Sequence, residues 1–133
     1  MIFSIEPHLG AKPITFGMNK CDVHKILGAP QNTFRRNTFS KGDTEAYDEC
    51  FVEYDANDNC VAIEFFDSAC VMLNQTNLFS LSCAELREML NIDGEDEEFD
   101  DCGFTSDSYG ISVYAPDEED DPYCYPESIN VYK

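Results

Sequence analysis

Apolar residues recur at helical spacing behind a helix-start residue in the first quarter of the chain. Asn19 is a favoured helix N-cap, and Val23, Ile26 and Leu27 follow it on what would be one helical face. Gly28 comes directly after them, where a glycine commonly ends a helix. The pattern predicts a short helix with a single apolar stripe, which must lie against another element to be buried.

A second stretch repeats this pattern after residue 81. Ser82 and Glu85 have the spacing of a capping box, in which each side chain bonds to a backbone N–H of the other residue. The apolar positions behind it are Leu86, Met89 and Leu90. We expect a second short helix that ends near Asn91 and Gly94.

The two stretches match each other at a constant offset of 63 residues. The matched pairs are Phe16 with Phe79, Met18 with Leu81, Asp22 with Glu85, Val23 with Leu86, Ile26 with Met89, and Leu27 with Leu90. This similarity indicates an internal duplication, with one repeat over about 1–66 and the other over about 67–133. Because each repeat looks too small to bury a core alone, we predict a single domain over 1–133.

Strand-like segments follow each helix, several of them with the period-two alternation of a half-buried strand. The predicted strands are 33–39, 51–54 and 61–65 in the first repeat, and 99–105, 111–114 and 129–132 in the second. Segments 2–5 and 71–73 lead into the helices. The sequence thus predicts an α+β fold. It is a tandem duplicated strand–helix–three-strand unit, with two short helices packed on one face of an antiparallel sheet.

The motif Phe16-Gly-Met-Asn-x-x-x-Val-x-x-x-Leu-Gly-x-Pro, over residues 16–30, resembles the helix entry of BamE-like outer-membrane assembly lipoproteins. It is also similar to the beta-lactamase-inhibitor-protein family, whose fold is a duplicated helix-plus-antiparallel-sheet unit. The resemblance implies a protein-binding scaffold and no catalytic residue. The chain lacks the lipobox of the first family and the disulfides of a secreted inhibitor, so we expect no membrane-assembly role. In size and acidity it also resembles the immunity proteins of bacterial polymorphic toxin systems.

The composition is strongly acidic, with 27 Asp and Glu residues against 8 Lys and Arg, and a net charge of -19. Such a charge is repelled by DNA, RNA and anionic lipid, so we predict no nucleic-acid or membrane partner and a monomer when free. Seven cysteines, an odd number without a CxxC pair, favour reduced thiols over a disulfide scaffold. Since the N-terminal residues also lack a signal-peptide pattern, we expect a cytoplasmic protein.

The charge is unevenly divided between the predicted repeats. Residues 1–66 have a net charge of -4, and residues 67–133 have -15. Most acids of the second repeat lie in two runs: Asp93, Glu95, Asp96, Glu97, Glu98, Asp100 and Asp101 after the helix, and Asp117, Glu118, Glu119, Asp120 and Asp121 between two strands. With Tyr123 and Tyr125, these are the predicted partner-binding residues, because such charge steers a cationic partner and tyrosine often anchors interfaces. The alternative is that both runs are solvated loops that only keep the protein soluble.

No catalytic, cofactor or metal motif stands out in the sequence. We expect His8 in a loop and His24 on the solvent side of the first helix. Asp55, Asn57 and Asn59 have the spacing of an EF-hand start, but that loop's glycine and bidentate glutamate are missing, which favours a hairpin turn. We therefore predict no enzyme, cofactor or metal site. A hydrolase with two carboxylates and loose Ca²⁺ or Mg²⁺ binding stay open as alternatives.

The leading functional hypothesis is an immunity-type protein that binds and neutralises a basic toxin, in particular a nuclease, through the acidic second repeat. The acids would speed capture of a cationic partner and would imitate the phosphate backbone that a nuclease cleft holds. The alternative is a non-catalytic adaptor or regulatory protein-binding module that uses the open face of the sheet.

Overall fold

Two α-helices, one short 3₁₀ helix and twelve strands make up the regular structure of the described residues. A computed structural model describes residues 1–36, 38, 41–90, 103–118 and 120–133. Within these ranges the helices are α1 (Lys20–Leu27) and α2 (Cys83–Met89), and a short 3₁₀ helix covers Leu78–Ser80. The strands are β1 (Ile2–Glu6), β2 (Gly10–Lys12), β3 (Ile14–Thr15), β4 (Asn32–Phe34), β5 (Thr44–Ala46), β6 (Cys50–Tyr54), β7 (Cys60–Phe66), β8 (Cys70–Leu73), β9 (Thr76–Asn77), β10 (Gly103–Ser106), β11 (Ile111–Tyr114) and β12 (Ser128–Tyr132). The α+β class is confirmed.

Both helices begin at the N-caps that the sequence predicts. The Asn19 side chain accepts a hydrogen bond of 2.9 Å from the backbone N–H of Asp22. At α2 the capping box is complete. The backbone N–H of Ser82 donates to the Glu85 carboxylate at 3.2 Å, and the backbone N–H of Glu85 donates to the Ser82 hydroxyl at 3.3 Å. These bonds satisfy amides that a helix start leaves without intrahelical partners.

The two helices end differently. α1 ends at Gly28, whose φ of +84° lies in the region that favours glycine. α2 is followed by Leu90 as its C-cap residue. The end predicted for the second helix, near Asn91 and Gly94, lies outside the described residues.

The strands form two sheets, where the sequence predicts one. Seven antiparallel strands run in the order β10-β11-β12-β7-β6-β5-β4, and five run in the order β3-β2-β1-β8-β9. In the smaller sheet β1 and β8 are parallel, which their long connection permits. The smaller sheet packs on the seven-stranded sheet through apolar side chains of β1. The ring centroids of Phe3 in β1 and Phe65 in β7 are 4.7 Å apart.

Both helices lie against the same face of the seven-stranded sheet. Residues directly opposite each other on neighbouring strands share a face, and one such row runs across the sheet: Glu45, Val52, Ile63, Val131, Ile111 and Ser106. His24 of α1 contacts Glu45 at one end of this row. Arg87 of α2 lies over the ring of Phe104, two residues from Ser106, at the other end. The predicted placement of the helices on one face is therefore observed.

The equivalence of the two halves stays a prediction. The helices start at Lys20 and Cys83, which keeps the offset of the repeated motif. The strands do not keep it, since β7 begins at Cys60 and β12 at Ser128. Among the described residues, four strands follow α1 within the first predicted repeat, and three follow α2 within the second.

The core between the layers is a single apolar cluster that draws on both predicted repeats. Its middle is the antiparallel pairing of β7 with β12, which sets Phe65 opposite Ile129 and Ile63 opposite Val131. All four of these side chains are fully buried. The β7–β12 pairing thus joins the two halves of the chain.

Replacing Ile129 with Ala should lower the free energy of unfolding by about 2–5 kcal/mol, because it leaves a cavity at this junction. Urea denaturation followed by circular dichroism measures the change. Ile2→Ala removes the same atoms from a residue that is 65% exposed, and it should change stability by less than about 0.5 kcal/mol. Equal losses in the two variants would contradict this description of the core.

Candidate functional site

The second acidic run lies in the connection between β11 and β12, as the sequence predicts. We call residues 115–127 the acidic loop. Its members Asp117, Asp120 and Asp121 are exposed. Outside the described residues lie Glu119 and the whole first run, Asp93, Glu95, Asp96, Glu97, Glu98, Asp100 and Asp101.

Two of the three exposed tyrosines lie on the acidic loop, and the third, Tyr114, is the last residue of β11. The exposed fractions are 46% for Tyr114, 73% for Tyr123 and 62% for Tyr125. The other tyrosines of the chain are buried or half-buried. Among the described residues, these three are the exposed aromatic side chains. The loop therefore combines carboxylates with the ring surfaces that commonly anchor protein interfaces.

The acidic loop is folded by its own hydrogen bonds. The backbone N–H groups of Asp120 and Asp121 donate to the Asp117 carbonyl at 3.2 and 2.9 Å, which closes a tight turn. The Asp121 carboxylate accepts from the backbone N–H of Tyr123 at 3.0 Å. The Cys124 N–H donates to the Asp121 carbonyl at 3.1 Å. These bonds fix the backbone conformation next to Tyr123 and Tyr125.

The loop also caps the start of α2. The backbone N–H of Cys83 donates to the Cys124 carbonyl, and that of Ala84 donates to the Pro122 carbonyl, both at 2.9 Å. The first amides of a helix have no intrahelical acceptor, so the loop carbonyls satisfy two of them. The thiols of Cys83 and Cys124 are 3.7 Å apart at this junction. The sequence does not indicate this contact, because 41 residues separate the two cysteines.

Among the described members of the acidic run, Glu118 forms an ion pair within the chain. Its carboxylate accepts from Nε and Nη2 of Arg87 at 2.7 and 2.6 Å, a two-bond pair. The side chains are only 22% exposed for Arg87 and 13% for Glu118. The guanidinium also lies 4.3 Å from the ring centroid of Phe104. Through this pair Glu118, a predicted partner-binding residue, holds the loop on α2.

A second polar cluster lies under α1 and corrects the expectation for His24. Nε2 of His24 is 2.9 and 2.8 Å from the two carboxylate oxygens of Glu45, which is buried. His24 is half-buried and faces β5. One turn earlier, Lys20 lies on the same side of α1 and donates to the Asp43 carboxylate at 3.0 Å. Burial and the neighbouring Glu45 raise the pKa of the Tyr54 hydroxyl, which stays protonated. His24 thus gives the buried Glu45 carboxylate a hydrogen-bond partner.

Polar side chains elsewhere complete turns. Asp55 accepts from the backbone N–H groups of Asn57 and Asn59 at 2.8 and 3.0 Å, so the EF-hand-like spacing belongs to the predicted hairpin turn. His8 lies in a turn, with Nε2 3.1 Å from the Ser108 carbonyl oxygen. In the part of the chain that the structure describes, no three His, Cys, Asp or Glu side chains converge as a metal site.

Comparison with known proteins adds no relative. No family model, no curated protein and no solved structure matches the chain. The likeness of residues 16–30 to the BamE-like and inhibitor families therefore stays a likeness of one motif. Across the described ranges, no helix is long and apolar enough to cross a bilayer.

Glu118→Ala should lower the free energy of unfolding by about 1–3 kcal/mol, because Arg87 loses the acceptor of two charge-assisted bonds. Asp120→Ala removes an exposed charge from the same turn and should change stability by less than about 0.5 kcal/mol. Urea denaturation of both variants is the measurement. An equally small effect in both would show that the Arg87 pair does not hold the loop.

His24→Ala should destabilise the fold by about 1–3 kcal/mol, since it leaves the buried Glu45 carboxylate without its partner. Lys25→Ala, on the exposed side of the same helix, is the matched control and should have little effect. Adding Glu45→Leu to His24→Ala should recover part of the loss. If the double variant is no more stable than the single one, the pairing is not what stabilises this region.

Proposed function

We propose that the protein is an immunity-type binding protein that neutralises a basic toxin through the acidic loop. One observation carries the proposal: two of the exposed tyrosines of the described residues, Tyr123 and Tyr125, lie on the same loop as the exposed acids. The proposed contact residues are Tyr123 and Tyr125 with Asp117, Asp120 and Asp121. Glu119 and the first acidic run, which lie outside the described residues, stay predicted contact residues, and Glu118 would hold the loop in place through Arg87.

The charges of this surface favour a cationic partner. Within the described residues, Asp117, Asp120 and Asp121 have no Lys or Arg at ion-pair distance. A basic protein would supply the missing cations and would be drawn in by the net charge of -19. A nuclease toxin is the specific form of the proposal, because spaced carboxylates can occupy positions that a nuclease cleft offers to phosphates.

The tyrosines add ring area and hydroxyl groups for contact with the partner, which the acids do not provide. An exposed tyrosine ring buries a large area on binding at a low cost in side-chain entropy, and its hydroxyl can hydrogen-bond to the partner. Because the loop is already closed by its own turn and by the amides of α2, less ordering is needed at the moment of contact. We therefore expect the acids to set the association rate and the tyrosines to slow dissociation.

The first test is neutralisation of the protein encoded next to this gene. Co-expression should protect cells from that protein, and the purified pair should bind with submicromolar affinity. If the neighbouring protein is not toxic, or if it does not bind, the immunity proposal fails.

The second test locates the surface on the chain. The triple variant Asp117→Asn, Asp120→Asn and Asp121→Asn should lower the association rate roughly tenfold at low salt and flatten its salt dependence. Tyr123→Ala with Tyr125→Ala should raise the dissociation rate at least roughly tenfold. The control removes three acids elsewhere, with Asp22→Asn, Asp48→Asn and Asp67→Asn. Similar rates for the control and the loop triple would contradict the placement.

The outer face of the seven-stranded sheet supports a second candidate, the non-catalytic adaptor. Phe34, Phe51 and Phe66 form a row on this face, with ring centroids 5.3 and 4.8 Å apart in edge-to-face contacts. Arg36 lies beside the row and pairs with Glu53 and Glu64. An adaptor using this face would keep its binding in the Asp117, Asp120 and Asp121 triple variant and lose it in Phe66→Ser.

A further inference from the structure

Two cysteines meet where the acidic loop is attached to α2. The Sγ atoms of Cys83 and Cys124 are 3.7 Å apart, and the backbone N–H of Cys83 donates to the Cys124 carbonyl at 2.9 Å. Both are free thiols, as are the other described cysteines. Among the described residues, this is the thiol pair in direct contact. Cys102 lies outside them.

We propose that Cys83 and Cys124 form a reversible disulfide that locks the acidic loop onto α2, so that the loop is a redox-sensitive surface. The bond closes between two elements that already touch. Its sulfurs need to approach from 3.7 Å to about 2 Å, a shift that side-chain rotation of the half-buried Cys124 can supply. The consequence for partner binding rests on the proposed function, whereas formation of the bond does not.

The order of reaction follows from exposure. Cys124 is half-buried, and Cys83 is fully buried at the first position of α2. Burial, with the Cys124 thiol beside it, raises the pKa of Cys83 to about 12. Cys124 is therefore the first nucleophile, and Cys83 is the resolving thiol.

The oxidant is a low-molecular-weight disulfide such as oxidised glutathione. The Cys124 thiol loses its proton, and its thiolate attacks one sulfur of that disulfide. The S–S bond breaks, a mixed disulfide forms, and one glutathione thiolate leaves. The Cys83 thiolate then attacks the Cys124 sulfur and expels the second glutathione thiolate. Two protons pass from the protein thiols to the two glutathione thiolates, and the protein is oxidised by two electrons.

Three of the four other described cysteines serve as internal controls. Cys21 is exposed on α1 and has no described thiol in contact, so it can form a mixed disulfide but has no resolving partner. Cys50 and Cys60 are buried in β6 and β7, where desolvation raises the pKa of each to about 12. Neither is accessible to a disulfide in the folded protein.

The first experiment maps the crosslink in the full chain. The protein is equilibrated with oxidised and reduced glutathione, quenched with acid, alkylated and digested, and disulfide-linked peptides are identified by mass spectrometry. We expect most molecules to carry the Cys83–Cys124 link, and Cys21→Ser to leave its yield unchanged. Cys124→Ser should abolish it, and this variant avoids disturbing the fully buried Cys83. A Cys124 that only stays glutathionylated, or that links to Cys102, overturns the proposal.

The second experiment measures the lock itself. Oxidation should raise the thermal midpoint by roughly 5–15 °C, because the crosslink restricts the unfolded chain between the two cysteines. It should also slow hydrogen exchange at the Cys83 and Ala84 amides, and a reductant should reverse both effects. In Cys124→Ser neither quantity should respond to the redox buffer. A crosslinked protein with an unchanged midpoint and unchanged exchange would show that the bond does not lock the loop.

Neither readout uses a partner, so the inference and the proposed function can fail separately. If the crosslink forms and the neighbouring gene product binds neither redox form, the function is wrong and the disulfide stands. If that product binds and no crosslink forms, the disulfide is wrong and the function stands. If both stand, the oxidised form should dissociate from the partner at a measurably different rate from the reduced form, and equal rates would remove the regulatory claim.

Discussion

The antiparallel pairing of β7 with β12 is the constraint on which the rest of this structure depends. It places the last strand of each half side by side in the middle of the larger sheet, with Ile129 opposite Phe65. The smaller sheet covers this pairing through Phe3, and α1 and α2 cover the two ends of the same face. The loop that connects β11 and β12 leaves the sheet at Tyr114 and Ser128, and its carbonyls accept from the first amides of α2.

The acidic loop and α2 stabilise each other. The loop carbonyls accept from the first two amides of the helix, and Arg87 returns a two-bond pair to Glu118. Like charges packed into one turn repel each other, and the Arg87 pair offsets part of that repulsion. The described acids of the loop are thereby held in a defined conformation and not on a solvated tether.

Local signals in the sequence predicted local structure well. Caps at Asn19 and Ser82, the Asp55 turn and most strands are fixed by neighbours in sequence, and they are found where expected. The short strands β2, β3, β5 and β9 and the second sheet were missed, because pairings between distant segments leave little pattern in two or three residues. At the site, the loop and its exposed tyrosines followed from charge and residue type. The roles of Glu118, His24 and Cys124 did not, since each depends on a partner at least 21 residues away.

We conclude that the acidic loop is held in one conformation by its own turn and by its bonds to α2. Backbone ¹⁵N relaxation of the reduced protein tests it most directly, at the amides of Asp120, Asp121, Tyr123 and Cys124. A loop closed by its own turn and held on α2 should give order parameters of about 0.8, close to those of β11 and β12. Order parameters below about 0.6 at these amides would mean a flexible acidic tether, and they would contradict a loop held on α2.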